Sequence, residues 1–229
     1  LIILDLDNTL IDWCSMFAFG TQRAIQKASE ITGVSYSTLC QEYKDILDQE
    51  ESVEYPFVLQ KLPSILKYYN NDVSKVLTEC TEPARSAAKL ASYSYFKPYP
   101  NVIRTLRKLK QYPNIKLAML TDAPHQIALN RSHKIGVLHF FDGVYGLEDP
   151  QIPIIQNEIA VTQEILFKNL DKWKYGLIGR HRTLPNDYRK PSVKGLKYLL
   201  TDLDIKIESK QDVIFVGDNV FKDVQLCHD

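Results

Sequence analysis

A small set of side chains in this sequence has the types and spacing to do chemistry together. Asp5 and Asp7 end a short apolar run, Leu1-Ile-Ile-Leu4, and Asp218 and Asp223 follow another, Val213-Ile-Phe-Val216. Thr121 and Asp122 close a third run, Ile115-Lys-Leu-Ala-Met-Leu120, and Lys190 stands before Pro191 where a helical pattern begins. Four acids brought to one rim repel one another unless a cation sits among them. Oxygen-rich, cysteine-free ligation suits a hard divalent ion, and Mg2+ completed by waters and a substrate phosphate is the natural choice. In extended chain, residues i and i+2 point the same way, so Asp5 and Asp7 can address one atom from a shared side. A carboxylate that attacks phosphorus forms an aspartyl-phosphate, and its neighbour can protonate the leaving oxygen and later deprotonate water. Thr121 offers a hydroxyl and a backbone N–H to phosphoryl oxygens. Lys190 supplies a positive charge for the same oxygens and for the attacking carboxylate. An isolated Asp-x-Asp carries little weight, because strand-end turns often contain one.

Positioning these residues takes strands that end together. The three apolar runs are too short for helices and read as buried strands running into loops. From Trp13 to about Phe96 the spacing turns helical, as in Ala24, Ile25, Ala28 and Ile31 closing at Gly33, and this block ends at Lys97-Pro-Tyr-Pro100. Helices are predicted at Val102 to Leu109, at about His125 to Lys134, through Leu196 to Leu200 and from Val220, with a turn and short strand at 140–146. The stretch from Leu147 to Arg189 has poor periodicity and reads as an insert, with helix around Glu158 to Leu166 and strand at Trp173 to Ile178. Strands alternating with helices imply right-handed βαβ units and a parallel sheet. Such sheets bind ligands beyond the carboxyl ends of their strands. The fold class is therefore α/β, with 1–11 and 98–229 forming the sheet domain (insert at about 147–189) and 12–97 forming a helical one.

At 229 residues, 45% hydrophobic and 24% charged, the chain can bury a substantial core. Its 28 basic and 28 acidic residues cancel, giving no bulk electrostatic reason to expect nucleic acid or an anionic membrane as partner. No apolar run approaches the ~18 residues of a membrane span. Cys14, Cys40, Cys80 and Cys227 form no CxxC pair and read as reduced thiols, buried as apolar filler, in a cytoplasmic protein. The chain starts without Met inside an apolar run and stops in an unfinished helical pattern, so it reads as a segment of a longer protein lacking the sheet's last elements. The five histidines read as surface or capping residues, with His125 kept as a candidate substrate contact. Arg180, His181 and Arg182 read as a solvated loop, the sharper alternative being an anion-binding lip.

Asp5-Leu-Asp-Asn-Thr-Leu10, Thr121-Asp-Ala123, Lys190-Pro191 and Val216-Gly-Asp218-Asn followed by Asp223 resemble, in order and strand context, the four motifs of the haloacid dehalogenase-like superfamily. The resemblance spans almost the whole chain. It implies a Rossmann-like core and, because the helical block lies between the first and second motifs, a C1-type helical cap hinged at Leu10 to Asp12 and Lys97 to Pro100. It makes Asp5 the nucleophile, Asp7 the general acid/base, and Thr121 and Lys190 phosphate binders. Asp218 becomes a Mg2+ ligand beside Asp5 and the main-chain carbonyl of Asp7, with Asp223 a second ligand or an orienting neighbour. Asp122, where Asn is common, is grouped with the substrate-binding residues in a solvated or capping role. The long connection from Phe141 to Lys190 leaves Lys194 as a fallback for Lys190. Superfamily members acting on carbon–halogen bonds lack an acid at the position of Asp7, so the implied activity is Mg2+-dependent hydrolysis of a small phosphorylated metabolite. The alternatives are a phosphomutase, or a catalytically idle interaction module.

Overall fold

The computed structural model describes residues 1–160, 180–208 and 212–227. The strand predicted at Trp173 to Ile178, most of the helix predicted from Glu158, and His228 lie outside them. The chain divides into two compact units. One holds Leu1–Cys14, Tyr95–Asp149 and the described residues beyond 179; the other holds Ser15–Ser94 with 150–160.

The first unit is built on a five-stranded parallel sheet. Its strands are β1 (Ile2–Leu4), β2 (Leu117–Pro124), β3 (Gly143–Leu147), β6 (Arg180–Leu184) and β7 (Ile214–Val216), in the order β6-β3-β2-β1-β7. β1 is inserted between β2 and β7, with Ile2 opposite both Leu117 and Ile214. Ile3 and Leu117 to Leu120 are buried almost completely, as central parallel strands covered on both faces must be. One face packs Ile3, Ala118, Leu120, Tyr145 and Leu184 against Leu199 and Leu203 of the segment that begins with helix Val193–Asp202. Each fully buried leucine there contributes roughly 1.5–3 kcal/mol relative to exposure. Because the sheet is parallel, the carboxyl ends of β1, β2 and β7 share one rim, which brings Asp5, Thr121 and Gly217 together.

Two readings from the sequence are corrected here. β7 is not a fully buried strand: Ile214 and Val216 are 54% and 41% exposed, and among the described residues it pairs with β1 alone, a sheet position that an apolar run cannot reveal. Arg180, His181 and Arg182 are not a loop but a strand, β6, which is the outermost on that side among the described residues and pairs residue for residue with β3. Arg182 and Tyr145 both donate to Asp202, at 3.2 and 2.8 Å, so charged side chains stand where alternation would have signalled a strand.

The second unit is helical, as the spacing predicted. Its main helices are α1 (Trp13–Thr32, whose first two residues belong to the sheet unit), α2 (Tyr36–Gln49), α3 (Pro63–Tyr68), α4 (Val73–Lys75) and α5 (Glu82–Ser92). α1 ends at Gly33, which takes φ +70°, a conformation open to glycine without a Cβ penalty. Ser35 then caps α2, accepting from the Thr38 N–H at 3.1 Å. The core is Ala24, Ile25, Ala28, Leu39, Ile46 and their neighbours. After α5 the chain returns to the sheet unit, where α6 (Val102–Leu109) precedes β2 and α7 (His125–Lys134) follows it, both as predicted. After Asp149 the chain forms a two-stranded antiparallel ribbon, β4 (Ile154–Ile155) with β5 (Glu158–Ile159), so the helix predicted from Glu158 does not begin there. Ile152, Ile155 and Ala160 pack on the helical unit. Of the cysteines, Cys80 is buried, Cys40 half-buried and Cys14 exposed, which corrects the reading of Cys14 as apolar filler. No helix among the described residues is long and apolar enough to cross a membrane.

Candidate active site

The first motif is a tight loop at the end of β1. The Asp5 N–H continues the sheet ladder by donating to Val216 O at 2.9 Å, and the loop is closed by Leu10 N–H to Leu6 O and Asn8 N–H to Ile11 O, both 2.8 Å. Asn8 adopts φ +56°, which asparagine tolerates better than most residues. Its side chain accepts from Cys14 N–H at 3.1 Å, tying the loop to the start of α1. The chain's two passages beside this loop pair with each other, Tyr99 N–H donating to Leu10 O at 2.9 Å.

Asp223 is brought to the same rim by a turn that Asn219 organises. Asn219 Oδ1 accepts from the N–H groups of Phe221 and Lys222, and Asp223 Oδ2 accepts from Asn219 N–H at 2.9 Å. That turn needs Gly217: a Cβ there would lie 2.2 Å from Asp223 Oδ2. Lys190 Nζ sits 2.6 Å from Asp223 Oδ1 and 3.0 Å from Asp5 Oδ2, with all three side chains largely buried. Leu6 N–H donates to the other Asp5 oxygen at 2.8 Å. Burial pushes the Asp5 carboxyl above its ordinary range; Lys190 pulls it back down and Asp223 adds to the rise. For Lys190, burial alone would lower the ammonium's pKa, but Asp5, Asp223 and Asp122 together outweigh it and the net direction is upward. The lysine is therefore held charged between two carboxylates.

Asp5, Asp218 and Asp223 each offer a carboxylate oxygen, and these oxygens all lie within 4.8 Å of one another. An all-oxygen donor set with one exposed member suits a hard, partly hydrated cation such as Mg2+. The residues present thus fit the ion expected from the sequence.

Asp122 takes a role of its own. One oxygen accepts from the Lys190 backbone N–H at 3.0 Å and the other from Lys222 Nζ at 2.8 Å, so the residue braces the turn carrying Lys190, where the Lys190–Pro191 peptide is cis. Thr121 is 2% exposed within β2, where the pairing with β3 shifts register between Leu120 and Pro124, and its hydroxyl accepts from Ala123 N–H at 3.2 Å. Lys194 lies away from this group, its ammonium 2.5 Å from Asp187 on an exposed surface; Lys190 is the lysine that meets Asp5.

One residue was not legible in the sequence, and another was singled out there without its burial. Arg131, on α7, donates through Nη1 to both oxygens of Asp7, at 2.6 and 2.7 Å. A basic residue in the last turn of a helix reads as a complement to the helix dipole, so nothing in the sequence marked it. His125 is 2% exposed and not the surface residue expected. Its ring stacks on His181, and burial, then that neighbour's charge, depress its pKa to about 4. Gly146 permits the burial: a Cβ there would meet the His125 backbone at 2.8 Å.

The geometry of this rim agrees with the chain's relationships. The sequence profile of the haloacid dehalogenase-like hydrolases matches residues 1–228. The chain belongs to this family. Among curated proteins no sequence relative matches. Solved structures similar to this haloacid dehalogenase-like chain include a HAD phosphatase from Thermococcus onnurineus, with TM-score 0.56 and 17% identity, covering 99% of this chain and 80% of that one. A 2-haloacid dehalogenase from Pseudomonas syringae pv. Tomato DC3000 aligns with TM-score 0.51 and 13% identity, over 99% of this chain and 81% of that one. At these identities the likeness establishes the haloacid dehalogenase-like fold, and the chemistry rests on the side chains.

Proposed function

We propose that this haloacid dehalogenase-like hydrolase is a Mg2+-dependent phosphohydrolase of small phosphorylated metabolites, working through a phosphorylated Asp5. The observation that carries this reading is the rim itself: a buried Asp5 paired with Lys190, with a second carboxylate, Asp7, two residues further on. An acid at Asp7 has work to do in phosphoryl transfer, where the leaving alkoxide needs a proton and the attacking water must lose one. Asp5 attacks phosphorus as the bond to the ester oxygen breaks, and Asp7, which enters this step as the protonated acid, gives its proton to that oxygen. Water then attacks the phosphorylated Asp5, its proton passing to Asp7, and phosphate leaves. Lys190 orients Asp5, and with Thr121 it can donate to the phosphoryl oxygens. Asp5, Asp218, Asp223 and the main-chain carbonyl of Asp7 would hold the Mg2+ ion, which when bound supplies positive charge against the phosphoryl oxygens. The helical unit, inserted between the first and second motifs, would serve as a C1-type cap that governs which substrates enter. Free Cys14, Cys40 and Cys80 support the cytoplasm as its compartment.

A panel of phosphate esters assayed with Mg2+ and with EDTA tests this reading. Phosphate release is expected only with metal, and Asp5→Asn should lower it by at least about a thousandfold while leaving the circular dichroism spectrum unchanged. Isomer formation in place of free phosphate would identify a phosphomutase. No metal-dependent activity on any ester would leave an idle interaction module.

A further inference from the structure

We propose that Arg131 is a positioning residue for Asp7, setting where the acid–base carboxylate stands relative to the phosphoryl-binding residues. The inference rests on the phosphohydrolase reading. Asp7 lies on the short loop after β1, in a turn whose next residue, Asn8, has positive φ. Arg131 comes from a different element, α7, which follows directly on the strand carrying Thr121. That helix is well anchored: Ala128 and Ser132 are fully buried, and the Ser132 hydroxyl lies 3.5 Å from Met119 Sδ of β2. Thr121 and Arg131 therefore belong to one rigid strand–helix unit, and the ion pair fixes Asp7 to it.

The geometry is stricter than a surface ion pair. The Arg131 side chain is only 8% exposed, and its Nη1 reaches both Asp7 oxygens within 2.7 Å. Burying a guanidinium costs several kcal/mol unless it is well partnered, so the arginine has a strong preference for one placement of that carboxylate. Asp7 retains 18% side-chain exposure, and each carboxylate oxygen has a second lone pair beyond the one turned to Arg131. General acid–base catalysis requires the transferring group within hydrogen-bond reach of the reacting oxygen. Without Arg131 the carboxylate loses the contact that ties it to the strand–helix unit carrying Thr121.

Leaving-group dependence separates this role from a merely structural tie. The value of kcat/KM ends at leaving-group departure, so it reports proton donation to the ester oxygen. An alkyl phosphate needs that proton, whereas 4-nitrophenyl phosphate releases a stable phenolate without it. Arg131→Met should lower kcat/KM on the alkyl ester by about a hundredfold, within the range of a lost general acid, and on the nitrophenyl ester by less than about tenfold. In an Asp7→Asn background the same change should cost less than about threefold more, since the residue it positions is already gone. Arg131→Lys, which keeps a charge and fills similar space, should recover part of the alkyl-ester rate and serves in place of the methionine variant if that fails to fold. Equal losses on both esters, or full additivity with Asp7→Asn, would overturn the positioning role while the phosphohydrolase reading stands. The alkyl ester is one that the wild-type chain turns over in the panel, and a wild-type chain inactive on every ester of that panel would overturn that reading, and this inference with it.

Discussion

His125→Phe should flatten the acid limb of the sheet unit's stability profile. The ring is buried under the second motif, beside His181, and its pKa falls from 6.5 to about 4. A depressed folded value means that the unfolded chain takes up the proton first. The contribution of the neutral, buried ring is fully present above pH 6.5 and is lost as pH falls through 4. At about 1.4 kcal/mol per tenfold change in proton affinity, the complete loss is about 3 kcal/mol, of which about 2.5 is reached at pH 4.5. Other groups respond too. Burial raises the carboxyl pKa of Asp149, which accepts from Gln126 N–H beside His125, and that works in the opposite direction. The informative quantity is therefore the difference between wild type and variant. Native-state hydrogen exchange of peptides covering β2 and β3, at pH 7.5 and 4.5 and corrected for intrinsic exchange, reads the opening free energy of this unit by itself. Phenylalanine fills similar volume without a titrating group, so its profile should lack the drop of about 2.5 kcal/mol between those pH values. A variant that loses as much stability as wild type on acidification would refute the argument, and would place the acid response elsewhere in the sheet unit.

Other substitutions at the rim have expected outcomes of their own. Gly217→Ala puts a methyl 2.2 Å from Asp223 Oδ2, so the Asp223–Lys190 pair must shift; urea titration should show a loss of about 1–3 kcal/mol, with the proposed metal-dependent phosphate release falling at least about tenfold. Asp122→Ala removes the acceptor of the Lys190 N–H and the partner of Lys222. It should lower stability by about 1–3 kcal/mol and reduce turnover. Asp122→Asn keeps an acceptor for the Lys190 amide, and recovery of most of the turnover would separate bracing of Lys190 from direct substrate contact.

Much of the site was legible because its residues come directly after apolar runs. In a parallel α/β sheet such runs become strands whose carboxyl ends share one rim, and this assigns Asp5, Thr121 and Asp218 to that rim from sequence. The helices of the second unit were legible from their 3.6-residue spacing, and Gly33 marked the end of α1. β6 was not legible, because the charged and largely exposed Arg180, His181 and Arg182 break the apolar pattern of a strand, and β7, legible as a strand, looks internal in sequence although Ile214 and Val216 are exposed.

The sequence by itself determined the strands that carry the motifs and the helices around them, the helical block between the first two motifs, and the residue types available for phosphoryl chemistry. These are properties of local pattern, set by backbone geometry and hydrophobic periodicity. Only the tertiary structure decided which charges meet. Lys190 and not Lys194 lies between Asp5 and Asp223, Asp122 braces the lysine's backbone, Arg131 grips Asp7 from 124 residues away, and His125 is driven neutral by burial. Those outcomes depend on distances between segments remote in the chain and on the water removed from around them, and local pattern records neither.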